Sequence, residues 1–375
     1  MKAVGIIAEY NPFHNGHKYQ IQQAKQTTGA DIVIIVMSGN WVQRGQPAII
    51  DKWQRAEIAL NNGADIVIEL PVQAAVQAAD IFAKKAVEIL SKFHCEWLAF
   101  GSEHPELDFE ELAKKDLSNS NFINNDYKKS YASLIREAIG GITGKDISDP
   151  NDVLALNYAI ANNKMEHHMK LVPILRNGSN HHDKDLNHDI KIASASSIRD
   201  AIETNRIDET TDFLPTGYDK TVFNQICSWN DFWPLLKYKV TTSSIDELEN
   251  IYQMNEGLEY RFKKFIYQAN TFDEFISLIK SKRYTYSRLR RLCVYTLLNW
   301  KKDDDLGSQY ARILAFNKFG NGYLNHIKKD IKLPIITKID KHLSENELKF
   351  DVNAGKIYES INNRKQDVGK HPIIY

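Results

Sequence analysis

Little in this chain of 375 residues points to a metal centre, a disulfide framework, a membrane or a strongly charged partner. Its three cysteines, Cys95, Cys227 and Cys293, form no CxxC pair. That scatter argues against a zinc site and for a reducing compartment. The 48 basic and 48 acidic side chains cancel, so no global charge announces a nucleic acid, and only a local basic face could serve one. No apolar run approaches the length of a bilayer span and no charged-then-apolar leader precedes Val4, so the expectation is a cytoplasmic protein with no membrane partner.

What the chain does have is short apolar runs at regular intervals. Ala3, Val4, Gly5, Ile6, Ile7 and Ala8 read as a parallel strand buried on both faces, and 30–37, 65–70, 95–100 and 169–175 read the same way. Between them lie helical stretches: one after the first strand, one at 51–63 capped by Asp51, one at 75–93, and one opened by Asn151 or Asp152. Strands alternating with helices predict an α/β fold with a Rossmann-like parallel sheet. Beyond Asn205 the alternation stops, Pro215 and Gly217 mark a joint, and helices are expected at 220–236, 244–252, 256–270, 271–282 and 287–301. Two domains follow, a catalytic one over 1–205 and a mostly α region over 206–375, in which ARILAFN near the end is strand-like. A further helix is expected at 124–139.

Chemistry concentrates at the end of the first strand. Asn11-Pro12 breaks the ladder, and His14-Asn15-Gly16-His17 then leads into Lys18, Tyr19 and Gln20 at the start of a helix. A helix beginning there aims unpaired N–H groups and its positive dipole end at whatever sits above the strand's carboxyl edge, which suits a phosphate. His14 and His17 are three apart, so within a helix they share one face, and Gly16 leaves bare backbone for a ligand. Two imidazoles can donate to a phosphoryl group as its bond to pyrophosphate breaks. Gly101 ends the fourth strand at the same edge, where a plain turn and a seat for adenine or ribose are both open readings. Arg176 ends the fifth strand with the reach to hold a triphosphate. Ser196 and Ser197 open a helix, as caps or as phosphate donors, with Arg199 three beyond Ser196. His181 and His182 fall in an irregular polar segment that reads as a solvated lid rather than a metal site.

HNGH resembles the HxGH signature of the nucleotidyltransferase superfamily, and SASSIR resembles its second signature, ISSTxxR. The longer strings GIIAEYNPFHNGHKYQI, MSGNWVQRGQPAIIDKWQRAEIAL and ADIVIELP, with FGSE and PND, resemble the bacterial tRNA(Met) cytidine acetate ligases, densely in the first half and loosely in the second. The resemblance implies that the turn Ile7, Ala8, Glu9, Tyr10, Asn11, Pro12, Phe13, His14, Asn15, Gly16, His17, Lys18, Tyr19 and Gln20 wraps ATP. It implies a nucleotide contact from Asn151 and a grip on the β- and γ-phosphates by Ser196, Ser197 and Arg199, while Gly101 is counted as an ATP contact on its place at the same sheet edge. It also implies acetate as co-substrate, elongator tRNA(Met) as partner and N4-acetylcytidine at the anticodon wobble position as product. Magnesium on the phosphates is expected from the chemistry, without a dedicated carboxylate set.

One stretch of the second region suits RNA. Lys280, Lys282, Arg283, Arg288, Arg290 and Arg291 surround Tyr284 and Tyr286, offering charge for phosphates and rings for unpaired bases; a solvated helix face is the competing reading. Two other functions fit the short motifs: an adenylyltransferase of a small phosphorylated metabolite, and a non-catalytic RNA-binding protein. The long α-rich region speaks against the first, and the intact histidines with Arg199 against the second.

Overall fold

The computed structural model describes residues 1–114, 149–176, 191–304 and 310–375. The helix expected at 124–139 and the segment with His181 and His182 lie outside them. The first half is the alternating α/β chain that the apolar runs predict: β1 (Ala3–Ala8), α1 (Asn15–Thr28), β2 (Ile32–Ser38), a hairpin of β3 (Trp41–Val42) and β4 (Gln46–Pro47), α2 (Lys52–Asn61), β5 (Ile66–Leu70), α3 (Val72–Ala75), α4 (Ala79–Lys92), β6 (Trp97–Ser102), α5 (Phe109–Lys114), α6 (Pro150–Asn162), β7 (Lys170–Leu175) and α7 (Ala195–Glu203). Asp51 caps α2 as expected, its Oδ1 accepting from the N–H groups of Trp53 and Gln54. The α-rich part comprises α8 (Trp229–Thr242), α9 (Ile245–Glu249), α10 (Leu258–Ile266), α11 (Phe272–Ile279) and α12 (Tyr286–Leu297). The chain ends with β8 (Ala311–Phe316), α13 (Lys318–Ile327), β9 (Ile335–Ile336), α14 (Lys341–Glu345), α15 (Lys349–Asn362) and β10 (Ile373–Ile374).

The main sheet runs β10-β8-β5-β2-β1-β6-β7, with β9 on β8. Pairing is parallel from β5 to β7, while β8 lies antiparallel on β5. The connection from β1 goes to β2 on one side, and β6 returns on the other. The crevice above β1 and β6 is therefore the topological switch point, where open α/β sheets hold ligands. Residues of β1 alternate between the two faces. Ala3 and Ile7 join the layer with Phe82, Val87 and Leu90 of α4, whereas Val4 and Ile6 join the one with Ile21 of α1 and Trp53 of α2. Gly5 is required here, because a Cβ on it would stand 2.7 Å from Leu90.

The sheet does not end within the first 205 residues. The strand-like ARILAF is β8, and it pairs with β5 across more than 240 residues of sequence. A boundary at 205 therefore cuts one sheet in two. Four buried charges fasten the return: Lys52 Nζ lies 2.7 Å from Glu69 and 2.7 Å from Asp367, and Arg312 lies 2.9 Å from Glu69 and also contacts Asp367. The helices α8–α12 bury a second core, in which Trp229 stacks on Phe272 with centroids 4.2 Å apart. Trp41 of the hairpin, Val72 and Val76 insert into that core, so it is continuous with the loops above the sheet.

Candidate active site

His14 does not sit inside α1; it is its N-cap, and His17 is the third helical residue. His14 Nδ1 accepts from Gly16 N–H at 3.0 Å, and the His14 N–H donates to His17 Nδ1 at 3.3 Å. An Nδ1 that accepts a backbone N–H carries no proton, so each neutral ring bears its hydrogen on Nε2. Burial and the nearby charges of Arg176 and Arg199 push the His14 pKa down to about 3, and burial with His14 and Arg176 holds His17 well below the usual histidine value. The ring centroids lie 3.7 Å apart. The turn thus presents two neutral, adjacent N–H donors beside the open end of a helix, ready for an oxyanion and needing no proton from solvent.

Gly16 has a different purpose from the one its place in HNGH suggests. A Cβ on it would meet His14 Cε1 at 2.9 Å, so the glycine makes room for the capping imidazole itself. Other members of the turn are structural. Tyr10 and Phe13 are fully buried and pack edge-on, with Tyr10 also against the His17 ring. Asn11 Oδ1 accepts from Ile49 N–H at 2.8 Å, and Asn15 Nδ2 donates to the carbonyls of Lys191 and Asp212. Tyr19 packs on the same sheet layer as Ala8, the last residue of β1, whereas Ile7 faces the opposite layer.

Arg199 joins the second signature to the first, its Nη1 donating to Asn11 O at 2.6 Å. Together with the Asn15 bonds, this sets the N-terminus of α7 beside that of α1. Ser194, which sequence reasoning passed over, is the cap: its Oγ accepts from Ser197 N–H at 3.1 Å. Ser197 is buried and its hydroxyl donates back to Ser194 O at 3.0 Å, while Ser196 on the first turn is exposed.

Across the switch point, Gly101, Asn151 and Arg176 come together around a residue that was not singled out, Glu103. Arg176 Nε lies 3.6 Å from Glu103 Oε1, and Asn151 Nδ2 donates to the same oxygen. A Cβ on Gly101 would stand 3.2 Å from Arg176 Cγ, so the glycine lets that arginine cross the strand end. Burial raises the Glu103 pKa, opposed by Asn151 and Arg176. Its Oε2 is buried without a partner, an acceptor open to a ligand hydroxyl. Its presence in FGSE was the available signal.

Arg55 also escaped notice, being one charge among many in DKWQRAE. It is fully buried and donates to the carbonyls of Glu9 (2.6 Å), Ser38 (3.0 Å), Ile50 (3.1 Å) and Gly39. One guanidinium thereby gathers the exits of β1 and β2. From the hairpin, Gln43 N–H donates to Glu9 Oε1 at 2.9 Å.

The basic stretch near 280–291 divides. Lys282 and Arg283 are exposed, and Arg283 and Arg288 flank Glu256 at 3.2 and 3.8 Å. Lys280 lies over the exposed Tyr286 ring. Charge alone put Tyr284 and Arg291 on a solvent face, but Tyr284 is buried, and the Arg291 Nε is buried without a partner. Arg290 lines a cleft with Arg199. The cause is the hairpin: Gly45, at φ 72°, seats so closely on α12 that a Cβ would fall 2.3 Å from Arg291 N.

Residues 1–371 match the family model described as HIGH Nucleotidyl Transferase. The chain is 45% identical to the tRNA(Met) cytidine acetate ligase of Ligilactobacillus salivarius and 43% identical to that of Leuconostoc mesenteroides, covering all of each. The chain belongs to the tRNA(Met) cytidine acetate ligase family. Among solved structures, Thermotoga maritima TmcAL superimposes with a TM-score of 0.87 in its apo form and 0.85 with alpha-thio ATP bound, at 29% identity over 100% of this chain and 99% of that one. Among the described residues no helix is long and apolar enough to cross a membrane. The one group of described side chains with metal-ligand spacing is His104, Asp149 and Asp152. Asp152 there already accepts from Ser102 Oγ at 2.6 Å and from Glu103 N–H, and pairs with His104 at 2.7 Å, so it caps the exit of β6.

Proposed function

We propose that the protein is an ATP-dependent ligase that activates acetate as acetyl-adenylate and passes the acetyl group to N4 of the wobble cytidine of elongator tRNA(Met), forming N4-acetylcytidine. The observation that carries this reading is the pair of neutral imidazoles capping α1, each with Nε2–H free, at the switch point of a sheet shared with the acetate ligases. ATP lies over β1 and β6, its base and ribose toward Gly101, Glu103 and Asn151, and its triphosphate across the N-termini of α1 and α7. An acetate oxygen attacks the α-phosphorus and pyrophosphate leaves. His14 and His17 donate to the α-phosphate oxygens as their charge grows, and Arg176, Arg199 and Ser196 hold the departing tail.

The second step needs a cytidine out of its stack, which an anticodon loop supplies. Its N4 attacks the acetyl carbonyl, and AMP leaves with the bonding pair. The α-rich part, residues 206–304, presents the RNA face through Lys280, Lys282, Arg283 and Arg288, with Tyr286 exposed among them. Magnesium would accompany the triphosphate as part of the substrate and would offset its charge as pyrophosphate leaves. The setting is the cytoplasm.

Labelled acetate, ATP and elongator methionine tRNA test the reading together. Label on the tRNA, with acetate-dependent exchange of pyrophosphate into ATP, is the expected result. Pyrophosphate release that needs a phosphorylated metabolite instead of acetate would replace this reading with an adenylyltransferase.

A further inference from the structure

Glu103 follows β6 directly, and its surroundings fix the carboxylate everywhere except at one atom. Its N–H donates to Asp152 Oδ1 at 3.1 Å, which sets the backbone. Oε1 accepts from Asn151 Nδ2 and faces Arg176 Nε at 3.6 Å. Oε2 has no hydrogen-bond partner among the described residues and is closed to solvent, although the side chain as a whole keeps 24% of its surface exposed. A carboxylate oxygen left in that state is costly, and a ligand that brings a donor relieves the cost. Asn151 and Arg176 both favour the ionised form, so the group accepts hydrogen bonds and repels phosphate. Glu9, the carboxylate at the exit of β1, is engaged from the hairpin by Gln43 N–H at 2.9 Å and shows no such orphaned oxygen.

Two parts of ATP carry donors for it, the ribose hydroxyls and the adenine amine, and the sheet separates them. β1 and β6 are parallel neighbours with Ile6 opposite Ala99, so the same register continued puts Gly101 level with Ala8 and Glu103 level with Tyr10. Neighbouring strands lie about 4.8 Å apart. With the α-phosphate at His14 and His17 on the β1 side, Glu103 stands about one strand spacing away. The group next to the α-phosphate along the nucleotide is the ribose, and adenine lies a ring further. Of the two groups on Oε1, Arg176 is the looser: its contact is long, its side chain is 38% exposed, and Gly101 leaves it room to cross the strand end. It can turn to the triphosphate and uncover the carboxylate while Asn151 keeps the plane.

We infer that Glu103 accepts a hydrogen bond from a ribose hydroxyl of ATP and makes the site selective for ribonucleotides over deoxyribonucleotides. This rests on the reading that ATP lies over β1 and β6, and needs nothing of the acetyl or RNA steps. It also gives the nucleotide a direction, because a carboxylate at the β6 exit repels the phosphates toward the donors at α1 and α7.

Calorimetric titration of the full chain with ATP, 2′-deoxy-ATP, 3′-deoxy-ATP and ITP, without acetate or tRNA, tests the assignment. One charge-assisted hydrogen bond predicts that the wild type binds ATP about tenfold or more tighter than at least one of the two deoxynucleotides. Glu103→Ala should lose that preference, weakening ATP by the same factor while the disfavoured deoxynucleotide changes by no more than about twofold. Glu103→Gln, of the same size, should keep part of the preference, since the bond is then between neutral groups. A wild type that binds ATP and both deoxynucleotides equally would overturn the inference. So would an alanine variant that weakens all of them alike, the mark of a residue that only shapes the site. Loss of a preference for ATP over ITP instead would assign Glu103 to the adenine amine and overturn it too. A wild type with the ribose preference but no acetate-dependent pyrophosphate exchange would leave Glu103 assigned and sink the ligase reading alone.

Discussion

On the proposed mechanism His14 would work with both ring nitrogens, and one substitution can separate the two roles. Nδ1 caps α1 through Gly16 N–H, while Nε2–H is the donor that the proposal assigns to the α-phosphate. Asparagine is among the best N-caps, so His14→Asn keeps an acceptor for the helix and removes the donor that the reaction uses. Alanine removes both. Loss of one donor to a developing oxyanion costs about 3 kcal/mol of transition-state stabilisation, or roughly a hundredfold or more in rate, and loss of an N-cap costs about 1 kcal/mol of stability. In acetate-dependent pyrophosphate exchange, His14→Asn should therefore fall at least about a hundredfold in kcat with the KM for ATP little changed, because the bond strengthens only in the transition state. Its urea midpoint should match the wild type. His14→Ala should lose the same rate and about 1 kcal/mol besides, and His17→Ala should also fall about a hundredfold in rate. If His14→Asn exchanges at the wild-type rate, the imidazole is a cap and nothing more, and the paired-donor mechanism is wrong.

Gly16→Ala should gain helix propensity worth about 1 kcal/mol yet lose up to about a hundredfold in exchange, since its Cβ would push the His14 ring from its place; an unimpaired rate would mean the ring position is immaterial. Acid should unfold the protein partly through this site. The His14 pKa is about 3 in the folded chain against an ordinary 6.5, so its contribution to stability is complete above pH 6.5 and is lost as pH falls from there toward 3. Between pH 7 and pH 5 that amounts to about 2 kcal/mol, visible as a larger drop in urea midpoint for the wild type than for His14→Asn; equal drops would contradict it. Lys52→Met should cost about 3–5 kcal/mol by leaving Glu69 and Asp367 to share Arg312 alone, and a loss under about 1 kcal/mol would show that the buried network is slack.

The parts of this molecule legible in the sequence are those whose cause is local. Apolar runs stopped by proline or glycine gave away β1, β2, β5, β6 and β7, and Asp51 marked the start of α2 because a cap acts within three residues. The HNGH turn and SASSIR were visible for the same reason, each being a short string at an element boundary. What stayed hidden depends on partners far along the chain. ARILAF was readable as a strand, but nothing within it names β5 as its neighbour. Nothing local sets Arg55, Lys52 and Arg312 apart from surface charge, since only the folded chain shows the carbonyls and carboxylates that compensate their burial. Arg291 is drawn from the exposed basic face for the same reason: charge density along a helix says nothing of a hairpin that docks on it from more than 240 residues away.

That long-range closure bears on how two reactions can share one site. The chain leaves the sheet after β7, builds the α-rich part, and comes back as β8, so that part is anchored at both ends instead of hanging from a single linker. If RNA binds there as proposed, a tether at both ends would restrict how far a bound anticodon loop can stray from the switch point and so raise its effective concentration at the mixed anhydride. Lys52 follows the cap of α2, Glu69 lies near the end of β5, and Arg312 and Asp367 come from the returning chain, so the same four charges that close the sheet also brace the strand exits over which ATP is proposed to lie. On this argument, the buried network serves acetyl transfer by fixing where the RNA arrives, and weakening it should slow transfer to tRNA more than it slows formation of the adenylate.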